Sequence, residues 1–272
     1  MYKKVSTNLN FVEREKKTEK FWRDNDIFKK FRDSFSRIDG HFHILEQRVP
    51  VERQMEYFKY SEKIRKDKDK PDISNMDFSI FENSLDDPES STEHKRYVLS
   101  MLATSRKVKA YRILEEYAQA PDPDVADWAY MALMESRIAL ESELSDEKQV
   151  YISTGLGGKG EKLRFYVLIL ANELKPFQDY QRTVIEREFP YSLGKADCEI
   201  ERLTINENYL ELVFLIPVRT DIKLTLDLVI GECNQYGNFL SDVFTITNVK
   251  ELSAEEVDEI IKKNGGNSQA SH

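Results

Sequence analysis

The chain has 272 residues, which is enough for two modest domains that each bury a core of their own. Hydrophobic residues make up 40% of the sequence and charged residues 33%, a balance that excludes general disorder. The formal net charge of −9 argues against nucleic acid as a partner, because proteins that bind phosphates usually present a basic surface.

Cysteine usage and hydropathy bear on the compartment. The two cysteines, Cys198 and Cys233, form neither a CxxC pair nor a cluster with metal-ligand spacing. The N-terminus lacks the apolar core of a secretory signal, and no apolar run approaches the ~18 residues of a membrane span. We therefore expect a cytoplasmic protein with reduced thiols and no membrane contact.

The first third of the chain is predicted to be largely helical. Apolar residues recur at spacings of three and four over residues 11–35, and again over residues 51–68. Residues 67–92 combine a charge run with Ser, Asn, Asp and two prolines, a composition typical of a linker. We therefore expect two helical segments followed by an irregular connection.

Helical periodicity is strongest between residues 93 and 144. Residues 93–119 fit two short antiparallel helices, and residues 125–144 fit a third. Asp122 is the predicted N-cap of the third helix, because its side chain can accept a backbone N–H there. Pro123 is tolerated in a first turn, and the charge of Asp124 suits the positive end of the helix dipole.

After Asp146 the periodicity becomes that of β-strands interrupted by helices. The predicted strands cover residues 149–153, 163–170, 198–206, 209–217 and 239–249, and the predicted helices cover 176–189, 221–234 and 253–263. From 163 to 249 the order is strand, helix, strand, strand, helix, strand. This order predicts a ferredoxin-like antiparallel sheet with both crossover helices on one face.

The predicted fold class is therefore α+β, with a helical N-terminal half followed by a ferredoxin-like βαββαβ domain. Five segments follow from these boundaries. They are a helical segment at 1–39, a helix and linker at 40–92, a helical region at 93–148, the α/β domain at 149–264 and a disordered tail at 265–272.

Residues 1–30 combine an NFVEREK stretch with a following Phe-Trp and Ile-Phe. This segment resembles the N-terminus of bacterial isoleucyl-tRNA synthetases. The matching positions are Phe11, Glu13, Glu15, Phe21, Trp22, Ile27 and Phe28. The H-x-G-H and K-M-S-K-S elements of that family are missing, so the resemblance implies no catalytic residue and no complete synthetase.

Residues 121–133 contain Pro-Asp-Pro-Asp-Val followed by alanines and leucine at helical spacing. This pattern resembles HEAT-type helical repeats, although Ala126 stands where that family usually has arginine. The resemblance covers residues 93–144, about one and a half repeats. Because repeat arrays normally need three or more units to bury their faces, it implies a helix pair that packs on another part of the protein.

A glycine-rich segment satisfies the pattern G-x-G-x-x-G. A dinucleotide site needs a helix after such a loop, whereas residues 163–170 are predicted to be a strand. We therefore favour a mobile glycine loop between two strands. If it binds a ligand, free backbone amides and two lysines make an anion the expected one. The residues of this possible anion-binding loop are Gly155, Gly157, Gly158, Lys159, Gly160 and Lys162.

Two histidines, His41 and His43, form an H-x-H pattern near Asp39. On a strand both imidazoles would share a face and could hold a metal ion, but no further Cys or His lies in range. We therefore interpret them as surface histidines. We predict no metal site, no cofactor and no catalytic residue, and hence no enzymatic activity.

The favoured function is that of a non-catalytic adaptor that has a protein partner or self-associates. Its helices would present Trp128, Met131 and Met134 to the partner, and the open face of the sheet would dock or dimerise. One alternative is an α/β domain that senses a small ligand or anion through the glycine-rich loop. Another is an accessory or truncated relative of isoleucyl-tRNA synthetase without aminoacylation activity.

Overall fold

The computed structural model describes residues 41–67, 71, 76–144 and 149–267. Over these ranges the chain is a mixed α and β structure, with a mainly helical half before a mainly sheet half. The segment that resembles a synthetase, residues 1–30, lies outside the described residues, as do Asp39 and most of the predicted tail.

Within its described residues, the helical half has five α-helices that share one hydrophobic core. They are α1 (Val51–Lys66), α2 (Ser79–Asp86), α3 (Thr92–Ala103), α4 (Val108–Tyr117) and α5 (Ala126–Leu144). The core fills with apolar side chains from every one of these helices, including Tyr57, Leu85, Leu99, Leu114 and Trp128. Helix α2 lies inside the predicted linker, so part of that segment is ordered secondary structure.

The sheet half is built on four antiparallel strands. In the described part of the chain the strands are β1 (His41–Ile44), β2 (Gln149–Ile152), β3 (Gly158–Lys159), β4 (Lys162–Ala171), β5 (Glu199–Ile205), β6 (Tyr209–Pro217) and β7 (Leu240–Thr247). The order across the main sheet is β7-β4-β6-β5, and β3 extends it as a short hairpin with β4. Strands β1 and β2 form a separate parallel pair.

Three further helices pack on this sheet: α6 (Asp179–Lys195), α7 (Ile222–Asn234) and α8 (Ala254–Asn267). Helices α6 and α7 join alternate β4 residues such as Phe165 and Val167 in the largest core. The opposite face of the sheet was predicted to be open for docking, but it is covered. Val257 of α8 and Leu156 cover Tyr166 and Leu168 there, because both β4 faces are apolar.

Local chemistry explains where the sheet-half helices begin. Helix α6 begins at Asp179 rather than at residue 176 because Gln178 and Gln181 form a reciprocal capping box. Helix α8 begins with a capping box, in which Ser253 and Glu256 exchange backbone and side-chain hydrogen bonds. None of the helices in the described ranges is long and apolar enough to cross a membrane.

Direct contacts join the two halves. The buried amide of Gln54 on α1 donates hydrogen bonds to the carbonyl oxygens of Val49 and Thr154, at 2.8 and 3.1 Å. Arg48 donates a hydrogen bond to the carboxylate of Glu251 at 2.5 Å. Glu251 lies in the connection between β7 and α8. These contacts fix the helical half against the sheet through the segment that links β1 to α1.

Both thiols should be unreactive in the folded protein. Cys198 and Cys233 are buried, and burial raises the pKa of Cys198 to about 11 and that of Cys233 to about 12. At pH 8 we expect a thiol reagent such as DTNB to modify neither residue on the timescale of minutes, and both after unfolding in denaturant. Rapid labelling of the native protein would contradict the packing of α7 on the sheet.

Candidate nucleic-acid interface

Helices α3 and α4 form a short helical hairpin. Only four residues, Thr104 to Lys107, connect their ends. The connection turns sharply because Arg106 adopts the left-handed conformation, with φ of 56°. Two helices joined by a turn of three or four residues are the framework of the helix-turn-helix class of DNA-binding motifs.

The hairpin is strongly basic although the whole chain is acidic. Residues 94–114 contain six Lys and Arg residues and no Asp or Glu. Two of the six serve the fold, as described below. The other four are exposed and form what we call the basic cluster, which consists of Arg106, Lys107, Lys109 and Arg112.

Most of the basic cluster lacks an internal counter-charge. Among the described residues, no carboxylate lies within ion-pair distance of Lys107, Lys109 or Arg112. By contrast, the exposed Lys66, Lys175 and Lys223 each pair with an acid. Positive charge is thus left facing solvent at one end of α4.

The position of these charges opposes the stability of α4. Lys107 is the N-cap and gives no side-chain cap, and the first turn contains no acidic residue. Cations near a helix N-terminus are disfavoured by the macrodipole, by about 0.3–1 kcal/mol each. Helix α3 follows the usual rule, with Ser91 accepting from the His94 amide and Glu93 in its first turn. Folding therefore does not account for the charges on α4.

A buried lysine holds the two ends of the hairpin together. Lys95 of α3 is 5% exposed and binds the Asp122 carboxylate, to which the Tyr117 hydroxyl of α4 also donates at 3.3 Å. The hydrogen bond from Lys95 lowers the pKa of Asp122, and burial raises the pKa of Tyr117 to about 12. Asp122 stands at the predicted N-cap position. Its carboxylate makes this contact, however, and does not accept a backbone N–H of the following helix as was expected.

Trp128 of α5 packs against α3 and contacts two of its side chains. Its indole N–H donates to the hydroxyl of buried Ser100 at 2.9 Å, and the guanidinium of Arg96 lies 4.7 Å from its ring centre. Trp128 is 3% exposed and Met131 is fully buried, so both belong to the core of the helical half; Met134 is half-buried. Of these three residues, predicted as partner contacts, Trp128 contacts the hairpin and Met131 is enclosed in the core, while Met134 stays partly exposed.

Acidic side chains border the basic cluster on two sides. Glu115 and Glu116 are exposed on the last turns of α4. The pKa of Asp77 is lowered by hydrogen bonds from Ser79 and also by the charge of Lys109. The basic surface is consequently confined to the turn and the first half of α4.

The glycine-rich loop serves as a structural junction. A side chain at Gly155 would lie 1.8 Å from the Val249 carbonyl oxygen, and Gly157, with φ of 68°, packs on the backbone of residues 46–47. The Gly160 amide donates to the Glu46 carboxylate at 3.0 Å. Lys162 binds Asp197 and Glu199, and Lys159 binds Glu199. The loop's amide and lysines are thus engaged by the protein's own carboxylates.

The two histidines of the H-x-H pattern lie on β1. His43 is within 3.1 Å of Glu141, stacks on Tyr151 at 4.7 Å between ring centres, and so ties β1 and β2 to α5. Tyr151 also donates to Glu141, and burial raises the pKa of its hydroxyl. In the part of the chain that the structure describes, no group of three or more His, Cys, Asp and Glu residues is arranged to hold a metal ion.

No protein-family model matches the chain, and no curated protein matches it. Two transposases are among the solved structures that are similar to parts of it. A proposed transposase from Deinococcus radiodurans R1 is 12% identical, with a TM-score of 0.34, over 38% of this chain and 90% of the other. A REP-associated tyrosine transposase bound to a REP hairpin is 11% identical, with a TM-score of 0.30, over 44% and 75%.

These comparisons contradict several predictions. The similar structures are transposases, so the resemblances to isoleucyl-tRNA synthetases and to HEAT repeats are wrong. The same similarity to transposases contradicts the predicted adaptor function and its protein partner. It also contradicts the two alternatives, a ligand-sensing domain and a relative of isoleucyl-tRNA synthetase. The exclusion of nucleic acid is also contradicted, since one of these transposases is bound to a hairpin. Similarity at TM-scores this low carries no argument for an activity of this chain.

Proposed function

We propose that this protein binds nucleic acid through the basic cluster on the α3–α4 hairpin. The observation that carries the proposal is the exposed group of Arg106, Lys107, Lys109 and Arg112 in a stretch that has no acidic residue. Neutralising phosphates with such side chains releases counterions and supplies most of the affinity of non-specific binding. The amides at the start of α4 add a favourable field for an anion.

The net charge of −9 is compatible with this proposal. At physiological salt, charges farther apart than about 8 Å are largely screened from one another. The acidic residues of the sheet half therefore weaken binding less than those beside the cluster. Asp77 interacts electrostatically with Lys109, so it is expected to oppose binding.

Removing three of the four charges tests the proposal. We expect the triple variant Lys107→Gln, Lys109→Gln, Arg112→Gln to bind a labelled duplex of about 20 base pairs at least about tenfold more weakly. The slope of log affinity against log salt should become shallower by about one for each side chain that contacts a phosphate. Fluorescence anisotropy between about 50 and 200 mM salt measures both quantities.

A matched variant controls for the overall charge. Lys175→Gln, Lys223→Gln, Lys262→Gln removes the same number of exposed charges from the sheet half. It should keep both the affinity and the salt slope close to those of the unmodified protein. Equal weakening by the two triple variants would mean that only net charge matters, and unchanged binding by the first would exclude the basic cluster as the site.

We further infer that the sheet half has the ferredoxin-like arrangement and serves as a scaffold for the helical half. The strand order β7-β4-β6-β5, the antiparallel pairing and the shared face of α6 and α7 support this assignment. Contacts such as Gln54 with Thr154 would then hold the hairpin in a fixed orientation.

A further inference from the structure

The placement of side chains around α4 bears on the kind of nucleic acid that the basic cluster fits; this step rests on the proposed function. Ala110, Ile113 and Leu114 are buried against α3 and α5. Arg112 lies on the opposite side of the helix and is exposed, and Lys109, three residues before it, is exposed on the flank of that side. Among the described residues, the N-terminal half of α4 therefore exposes a basic side to solvent, although Asp77 acts electrostatically on Lys109.

The dimensions favour the major groove of B-form DNA. An α-helix with its side chains is about 10–12 Å wide, and this groove is about 12 Å wide. A single strand offers no groove, and the major groove of duplex RNA is too deep and narrow for side chains to read. A helix with basic residues on its exposed side therefore matches duplex DNA better than either alternative.

The order of residues along α4 sets the direction of entry. Glu115 and Glu116 are exposed on the last turns, where they would repel phosphates. The basic residues and Val108, which is 54% exposed, occupy the first turns. An exposed valine suits contact with the methyl group of thymine, and lysine and arginine suit the acceptors of guanine. The N-terminal end is thus the end that can approach base pairs.

We propose that α4 enters the major groove of duplex DNA with its N-terminus first. Lys109 and Arg112 then reach base edges, and Lys107 at the end of the turn binds a backbone phosphate. The four-residue turn would then bring the end of α3 close to the same DNA strand.

Competition among three nucleic acids of one sequence tests this assignment. Duplex DNA, single-stranded DNA and duplex RNA are each used to displace a labelled DNA duplex from the full-length protein. We expect duplex DNA to compete about tenfold or more better than the other two. If either of the others competes equally well, the groove assignment is overturned while the proposed function stands. If none of the three competes and no direct binding is seen, the proposed function itself fails.

Two single variants separate base contact from phosphate contact. In a selection from random duplexes, Arg112→Lys should lose about tenfold of preference at one base position while keeping the salt slope, because lysine cannot reproduce a bidentate contact. Lys107→Gln should weaken all sequences alike and reduce the salt slope by about one. The same base preference in Arg112→Lys as in the unmodified protein would overturn the role of Arg112. Circular dichroism of each variant checks that the helices are intact.

Discussion

Replacing Trp128 by alanine should lower the free energy of unfolding by about 3–5 kcal/mol, the range for large aromatic residues in cores. Trp128 is 3% exposed and packs edge-on against two tyrosine rings, Tyr57 at 5.2 Å and Tyr60 at 5.4 Å between centres. The substitution leaves a cavity between α1, α3 and α5, and it also removes the hydrogen bond to Ser100. Urea denaturation followed by circular dichroism at 222 nm measures the change.

Two variants refine this experiment. Trp128→Phe keeps most of the apolar volume and loses only the indole N–H, so its cost should be clearly smaller. Tyr97→Ala removes an exposed aromatic from the same hairpin and should change stability by about 0.5 kcal/mol or less. If Trp128→Ala left the unfolding midpoint unchanged, Trp128 would not be part of the core of the helical half.

Regular periodicity explains which elements could be predicted. The buried strand β4 and helix α7 were predicted close to their observed bounds, because long apolar runs and a repeat near 3.6 residues fix such elements locally. The pairing of β1 with β2 was missed, since residues 41–44 and 149–152 are far apart in the sequence. Helix α2 was missed because its eight residues lie among Ser, Asn, Asp and Pro, the composition of a connection.

The basic cluster was missed because local charge was not counted over the helical hairpin. A net charge of −9 conceals a stretch of 21 residues, 94–114, with no acid, and that local absence was the available signal. Sequence could not show that Lys95 and Arg96 are used internally, because Asp122 and Trp128 reach them only through the packing of α5 on α3. The structural role of the glycine-rich loop was missed for a similar reason. The close approach of Val249 to Gly155 is a tertiary contact that the sequence does not show.

Glu135→Ala should lower the free energy of unfolding by about 3–4 kcal/mol, because it leaves buried hydroxyl groups without an acceptor. The Glu135 carboxylate accepts hydrogen bonds from Tyr57 at 2.6 Å and from Ser61 at 2.6 and 2.7 Å. Both donors are completely buried in the folded protein. Glu135 is the contact through which α5 holds the polar side of α1. Chemical denaturation at pH 7 measures the loss.

The combined variant Tyr57→Phe, Ser61→Ala, Glu135→Leu identifies the cause of that loss. It removes both donors together with the acceptor, so no polar group remains buried without a partner, and it should be more stable than Glu135→Ala alone. An exposed control, Glu62→Gln, breaks only the surface pair with Lys66 and should cost well under 1 kcal/mol. If the combined variant were less stable than Glu135→Ala by the sum of the separate losses, the three groups would act independently. Recovery of stability in the combined variant would instead locate the effect of Glu135 in the unsatisfied hydroxyl groups of α1.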